Sequence, residues 1–171
     1  MIINYNLEKM SERSLEEKYF YNPIKILNII IYMLQIYKKY YEQDVPFLIP
    51  FIITPLIIYE DYFNLLPKSN RTDFIVWISR DASKIRYDFT NRYKISYPYI
   101  QKSILLGIAN DIINIENCNF KLNKDNIKIK SKKLETKIKI LVNWFSPSLY
   151  IDYIKFLGDF YEFSNTKYND I

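Results

Sequence analysis

The segment that begins at Asn22-Pro23 constrains the fold of this chain more than any other part of it. Asparagine can cap the free N–H groups of a first helical turn, and proline is tolerated there because its missing N–H would have had no partner. From Pro23 to Tyr41 most residues are apolar. A narrow polar stripe at helical spacing is formed by Lys25, Asn28, Gln35 and Lys39. Since a helix that is apolar on most sides must be covered on most sides, we predict a central helix over residues 23–41.

The scarcity of glycine, histidine and cysteine excludes most familiar catalytic sites. The 171 residues include two glycines, one cysteine and no histidine. Phosphate-binding loops need several glycines, zinc sites need histidine or cysteine ligands, and an activated nucleophile needs a base. The remaining acid–base candidates are carboxylates whose spacing matches no catalytic arrangement, for example Glu60, Asp61, Asp81 and Asp88. We therefore predict a protein that is not an enzyme and that needs no metal or cofactor.

Composition indicates one globular domain over residues 1–171, located in the cytoplasm. Hydrophobic residues make up 49% of the chain, which is far from the composition of a disordered protein. The uncharged run from Val45 to Tyr59 is interrupted by prolines and is shorter than the roughly 20 apolar residues that cross a bilayer. Residues 1–9 lack the pattern of a secretory signal, and a lone thiol suits a reducing compartment. We expect no membrane partner.

Prolines and polar clusters divide the first two thirds of the chain into further helices. Pro50 and Pro55 should bend or split the segment that follows Val45. A polar loop after Leu66-Pro67 precedes a short amphipathic helix over residues 71–80. Two more helices are predicted on either side of a break at Tyr97-Pro98, over residues 84–93 and 98–110.

Near residue 112 the hydrophobic period changes from helical to alternating. Three short stretches alternate apolar with polar residues and predict strands that turn at Asn117-Cys118 and at residues 124–126: residues 113–116, 119–123 and 127–130. Helices followed by a hairpin give the order of a winged helix, which we predict over residues 71–130. The predicted fold is therefore mainly α (α+β), with helical parts at residues 1–70 and 131–171 around this segment.

The predicted C-terminal part holds two helices separated at Ser146-Pro147, over residues 132–145 and 148–163. The second helix carries an apolar stripe at helical spacing. Together with the end of the first helix, it supplies our candidate partner contacts: Trp144, Phe145, Tyr150, Tyr153, Ile154 and Leu157. Aromatic residues combine a large apolar area with a polar tip, which suits interfaces, but a role in the core is an equal alternative for each of them.

Lysines are concentrated between residues 121 and 140, a segment that contains eight lysines and two acidic residues. Candidate contacts to nucleic acid or to an acidic partner are Lys121, Lys124, Lys128, Lys130, Lys132 and Lys133. A solvated face is the alternative interpretation. Reading of bases by the helix over residues 98–110 is disfavoured because its middle, Ile104 to Ala109, is apolar.

Several of these features occur in an order that resembles one family. An Asn-Pro pair opens an apolar helix, a proline-broken run covers Val45 to Ile58, a Leu-Pro pair precedes the Trp77 helix, Gly107 precedes a hairpin, and Trp144-Phe145 precedes Leu157-Gly158. Over residues 20–160 the chain thus resembles the middle component of bacterial ABC three-component systems, the group that includes the small subunit of Lamassu anti-phage and anti-plasmid defence. It departs from the family pattern at Asn143, where the family has arginine, and at Gly158-Asp159-Phe160, where the family has a Gly-Val-Arg-Pro-like ending.

The resemblance implies an adaptor subunit without chemistry of its own. In such systems an SMC/Rad50-like ABC ATPase recognises invading DNA, and an effector, often a nuclease, attacks it. The middle component bridges the two and restrains the effector, so that its own contact with DNA is indirect. Two alternatives from the residues themselves are a winged-helix DNA-binding regulator and a small carboxylate-dependent enzyme or toxin.

Overall fold

The fold is mainly helical with one small antiparallel sheet, as the sequence predicts. The computed structural model describes residues 15–20, 22–69, 71–123, 131–149, 151, 152 and 155. Its helices are α1 (Leu15–Phe20), α2 (Pro23–Tyr41), α3 (Leu48–Ile58), α4 (Glu60–Leu65), α5 (Phe74–Val76), α6 (Ser83–Ala109) and α7 (Lys132–Trp144). A π-helical turn, Trp77–Asp81, joins α5 to α6, and the strands are β1 (Val45–Pro46), β2 (Ile113–Glu116) and β3 (Asn119–Leu122). None of the described helices combines the length and hydropathy needed to span a membrane.

Helix α2 is central, which confirms the first prediction. Asn22 Oδ1 accepts a hydrogen bond from the Lys25 amide at 3.3 Å, and the helix ends at Glu42, whose backbone is left-handed. Nine residues of α2 are buried. The helix contacts α1, α3, α6, α7, β1 and β3, so nearly every other element is placed by packing against it.

The sequence predicts that Pro50 and Pro55 bend or split their segment, and the split does not occur, because residues 48–58 form the single helix α3. Pro50 lies in the first turn of α3, where an N–H would have had no helical partner. Pro55 removes one interior bond, but ten of the eleven residues of α3 are buried, and this packing offsets the loss. The break comes at Tyr59 instead, where the backbone is extended between α3 and α4.

Helix α6 runs without interruption through Pro98, so the predicted break at Tyr97-Pro98 is also wrong. Pro98 is exposed, whereas Ser96 and Ile100 on either side of it are buried. Contacts with α2 and α3 hold α6 in place. The two helices predicted over residues 84–93 and 98–110 are therefore one helix, and the winged-helix arrangement over residues 71–130 stays a prediction. The preceding helix begins later than predicted, because Asp73 caps it through the Ile75 amide at 2.8 Å.

The hairpin of β2 and β3 is confirmed, with Glu116 paired to Asn119. Asn117 and Cys118 form its turn with φ values of 51° and 59°, the left-handed conformation that a tight two-residue hairpin requires. Sequence reasoning missed β1, which pairs antiparallel with β3 and gives the strand order β1-β3-β2. The hairpin is thereby joined to the first part of the chain. The strand predicted over residues 127–130 lies outside the described residues.

Helix α7 and the turn after it agree with the prediction for the C-terminal part. Ser131 Oγ accepts a hydrogen bond from the Leu134 amide at 3.3 Å and caps the start of the helix. A turn follows at residues 147–149. Of the helix predicted over residues 148–163, the structure describes residues 148 and 149, which lie in the turn, and residues 151, 152 and 155, which are helical.

Gly107 lies where α6 contacts both α2 and β2. A methyl group on this residue would lie 2.8 Å from Leu27 Cδ1 and 2.9 Å from Ile113 Cδ1, closer than carbon atoms normally approach. The absence of a side chain therefore allows the central helix, the long helix and the sheet to meet at one point.

We expect Gly107→Leu to destabilise the protein by about 1–3 kcal/mol, because added methylene groups would overpack this contact. Gly107→Ala should change stability by less than about 1 kcal/mol, since the displaced atoms are side-chain ends and alanine favours the helix. Ala109→Leu is the matched control, because Ala109 is exposed two residues further along α6. Urea unfolding followed by circular dichroism measures the differences. Equal stability of Gly107→Leu and Ala109→Leu would contradict the close packing.

Candidate interaction surfaces

Trp144 and Phe145, two of the predicted partner contacts, lie in the core. Their exposed fractions are 3% and 0%. The Trp144 indole N–H donates to the Thr72 carbonyl at 2.7 Å, and the ring lies 5.1 Å from that of Trp77. Phe145 packs against Phe74 with ring centroids 5.2 Å apart. These rings are covered within the chain itself, which corrects their assignment to a partner surface. The helical spacing from Ile138 through Leu141 to Phe145 is the sequence signal that indicates burial.

The other predicted partner contacts, Tyr150, Tyr153, Ile154 and Leu157, lie outside the described residues. Their role stays a prediction.

The described lysines of the predicted cluster contact different elements. Lys121 on β3 donates to Glu116 Oε2 at 3.0 Å. Lys133 on α7 reaches Asn64 Oδ1 at 3.4 Å and lies 5.1 Å from the Phe63 ring centroid, both in α4. Lys132 is exposed. Lys124, Lys128 and Lys130 lie outside the described residues.

Lys137, in the same basic stretch, is buried. Its side chain donates to the carbonyls of Leu66 and Pro67, where the chain leaves α4, and its exposed fraction is 6%. Removal from water lowers the pKa of this ammonium group, and the nearby charges of Lys133 and Lys68 lower it further. Sequence reasoning counted Lys137 with the surface lysines, but it ties α7 to the loop after α4.

Two of the candidate carboxylates meet around one arginine. Arg92 on α6 binds both oxygens of Asp61 on α4, at 2.5 and 2.9 Å, and donates through Nε to Asp88 at 2.5 Å. The guanidinium carbon also lies 4.6 Å and 4.4 Å from the ring centroids of Tyr59 and Tyr62. Burial raises the pKa of the Tyr62 hydroxyl far above its ordinary value, and the charge of Asp88 adds to this effect.

This arginine cluster joins α4 to α6 by opposite charge. Both carboxylates are held by the same guanidinium, an arrangement that fixes two helices. Glu60, another of the candidate carboxylates, also has an interaction partner. For Asp81 the structure describes the backbone alone. Within the described residues there is no group of three or more side chains suited to hold a metal ion.

An aromatic patch, which we define as Phe47, Leu48, Tyr97 and Ile115, lies on the surface and combines residues at the start of α3, on α6 and on β2. The exposed fractions of these side chains are between 37% and 43%. Phe47 stacks on buried Phe120 at 5.0 Å, and Tyr97 stacks on buried Phe51 at 5.1 Å. Ile115 pairs with Phe120 across the hairpin. The patch is thus apolar, exposed and supported from behind by fixed rings.

Comparison with known proteins gives one match. The sequence model of the family described as ABC-three component (ABC-3C) system Middle Component 3 matches residues 10–146. This range includes all the labelled helices and strands. No curated protein and no solved structure matches the chain.

We expect Arg92→Met to lower the free energy of unfolding by about 2 kcal/mol, because Asp61 and Asp88 would lose their common cation. The loss stays below that of a fully buried pair, since the two carboxylate side chains are 40% and 34% exposed. Arg71→Met is the matched control, because Arg71 is exposed in the loop before α5. Thermal unfolding of both variants measures the effect, and indistinguishable curves would show that the cluster contributes nothing.

Proposed function

Because the chain belongs to the ABC-three component (ABC-3C) system Middle Component 3 family, we propose that it is a non-enzymatic adaptor subunit of a bacterial defence complex. In this proposal it works in the cytoplasm and bridges an SMC/Rad50-like ABC ATPase and an effector, often a nuclease, in a Lamassu-type arrangement. It restrains the effector until foreign DNA is sensed. Its own contact with DNA is indirect.

The observation that best supports an adaptor is the aromatic patch. Protein interfaces favour aromatic residues at their centres and exclude lysine and glutamate, a composition that the four patch residues share. Because Phe47 and Tyr97 stack on buried rings, they have little side-chain freedom left to lose when a partner covers them. The patch also combines residues from three elements, so that a partner bound there would contact both the helical part and the sheet.

A winged-helix DNA-binding regulator is the weaker candidate. The helix that would enter the major groove is the last part of α6, and its Ile100, Ile104 and Gly107 are buried within the chain. The described lysines of the basic stretch contact different elements, as shown above for Lys121 and Lys133. These features disfavour base reading by this helix and a continuous phosphate-binding surface among the described lysines.

The proposal predicts that co-expression with the ATPase and the effector encoded beside this protein gives one stable assembly. Leu48→Lys combined with Ile115→Lys should release at least one partner, because two charges would enter an apolar contact. Both residues are exposed, so thermal unfolding of the isolated variant should stay close to wild type. Ile24→Lys is the matched control, because Ile24 is exposed near the start of α2, at the end of the helix opposite β1.

A second pair of substitutions tests the predicted C-terminal stripe. Tyr150→Asp with Tyr153→Asp should release a partner and keep the fold if these residues are surface anchors, whereas loss of both would place them in the core. If the wild-type protein elutes as a monomer and co-purifies with neither neighbour, the adaptor proposal is wrong.

A further inference from the structure

A groove of about 260 Å³ lies between α2 and α7. Helix α2 contributes Tyr32, Gln35, Lys39 and Tyr40 to its walls, and α7 contributes Glu135 and Lys139. Gln35 and Lys39 belong to the polar stripe that keeps α2 from being apolar on all sides. The groove is therefore the place where the central helix reaches the surface, and it is lined by charged groups and tyrosine hydroxyls.

The α7 wall of the groove carries one neutralised carboxylate. Lys139 Nζ lies 2.6 Å from Glu135 Oε1. Hydrogen bonds from Lys139 and from the Tyr32 hydroxyl lower the pKa of Glu135, and the charge of nearby Lys132 acts in the same direction. Glu135 thus remains ionised and already has an ammonium group and a hydroxyl beside it.

The α2 wall carries one cation, Lys39, to which no carboxylate of the described residues is paired. Lys39 is exposed, and within the described part of the chain it makes no hydrogen bond or ion pair. The charged groups that line the groove are then Lys39, Lys139 and Glu135, which leaves a net positive charge in a concave surface. A second carboxylate placed opposite Glu135 would balance it.

We propose that the groove between α2 and α7 binds a carboxylate side chain presented by a partner subunit, with Lys39 as its main cation. This inference rests on the proposed adaptor function and specifies the chemistry of one contact. Tyr40 lies beside Lys39 along α2 and offers its hydroxyl to the same carboxylate. Tyrosine-lined, polar contacts of this kind are common at the rims of protein interfaces.

A protein carboxylate fits this groove better than a nucleic acid does. Binding along a phosphate backbone uses several cations that follow the strand, and Glu135 would oppose the phosphates. Charges that pair across a protein interface, by contrast, give specificity even where they are few. Lys121 does not line the groove and is paired with Glu116 on the hairpin.

Zero-length carbodiimide cross-linking of the co-purified complex tests the proposal, because this reagent joins a lysine amine to a carboxylate in contact with it. Mass spectrometry should find Lys39 linked to an Asp or Glu of a partner subunit. Lys39→Arg keeps the charge but removes the reactive amine, so it should abolish this cross-link and retain the assembly. Lys39→Glu should weaken the association by about tenfold, since it replaces attraction by repulsion.

Lys102→Glu is the matched control for charge, because Lys102 is exposed on α6 outside the groove. It should leave the association unchanged. If no Lys39 cross-link formed and Lys39→Glu left the affinity for the partner subunits unchanged, this inference would be overturned. The adaptor proposal would still stand, because the wild-type assembly would have formed. Failure of the wild-type proteins to assemble would reject the adaptor proposal and this inference together. If Lys39→Glu abolished binding of a 20-nucleotide thymidine strand and no cross-link formed, the occupant would be nucleic acid and the inference would be wrong.

Discussion

Burial of α2 is the constraint on which the rest of the structure depends. A helix with nine buried residues needs cover on several sides, and α1, α3, α6, α7 and the sheet supply it. Close approach is possible at Gly107, where a side chain would collide with Leu27 of α2. The same requirement brings β1 beside β3, so that the parts of the chain before and after residue 70 share one sheet. The packing of the other elements around α2 thus determines which of their side chains remain on the surface.

This arrangement separates groups that hold the fold from groups that are available to partners. Three groups join elements that are distant in sequence. They are the rings of Trp77 and Trp144, the arginine cluster around Arg92, and Lys137 with its two carbonyl acceptors. They contain Trp144, Asp61 and Asp88, three of the residues that the sequence singles out as candidates. What stays exposed is an aromatic patch beside the sheet and a charged groove beside α7. Both suit contact with other proteins, which agrees with membership of a middle-component family.

Local signals in the sequence predicted the local structure well. Asn22-Pro23 marked the start of α2, and alternating residues marked β2 and β3, because each of these depends on neighbours within a few residues. Pro55 and Pro98 misled the prediction, since their effect depends on how the surrounding helix packs. Contacts between distant parts of the chain cannot be predicted from the spacing of residues along the sequence. Three contacts of this kind are the pairing of β1 with β3, the ion pair of Asp61 with Arg92 and the burial of Lys137. The family resemblance predicted the middle component, which the match over residues 10–146 confirms.

Hydrogen–deuterium exchange is the most direct test of whether this protein bridges two partners. Exchange is measured for the protein alone, with the ATPase, with the effector, and with both partners present. The account predicts that each partner protects a different surface and that both surfaces are protected together in the full assembly. Segments around the aromatic patch and around the groove between α2 and α7 should be among those that change. Protection of one and the same surface by both partners, with displacement of one by the other, would contradict the account.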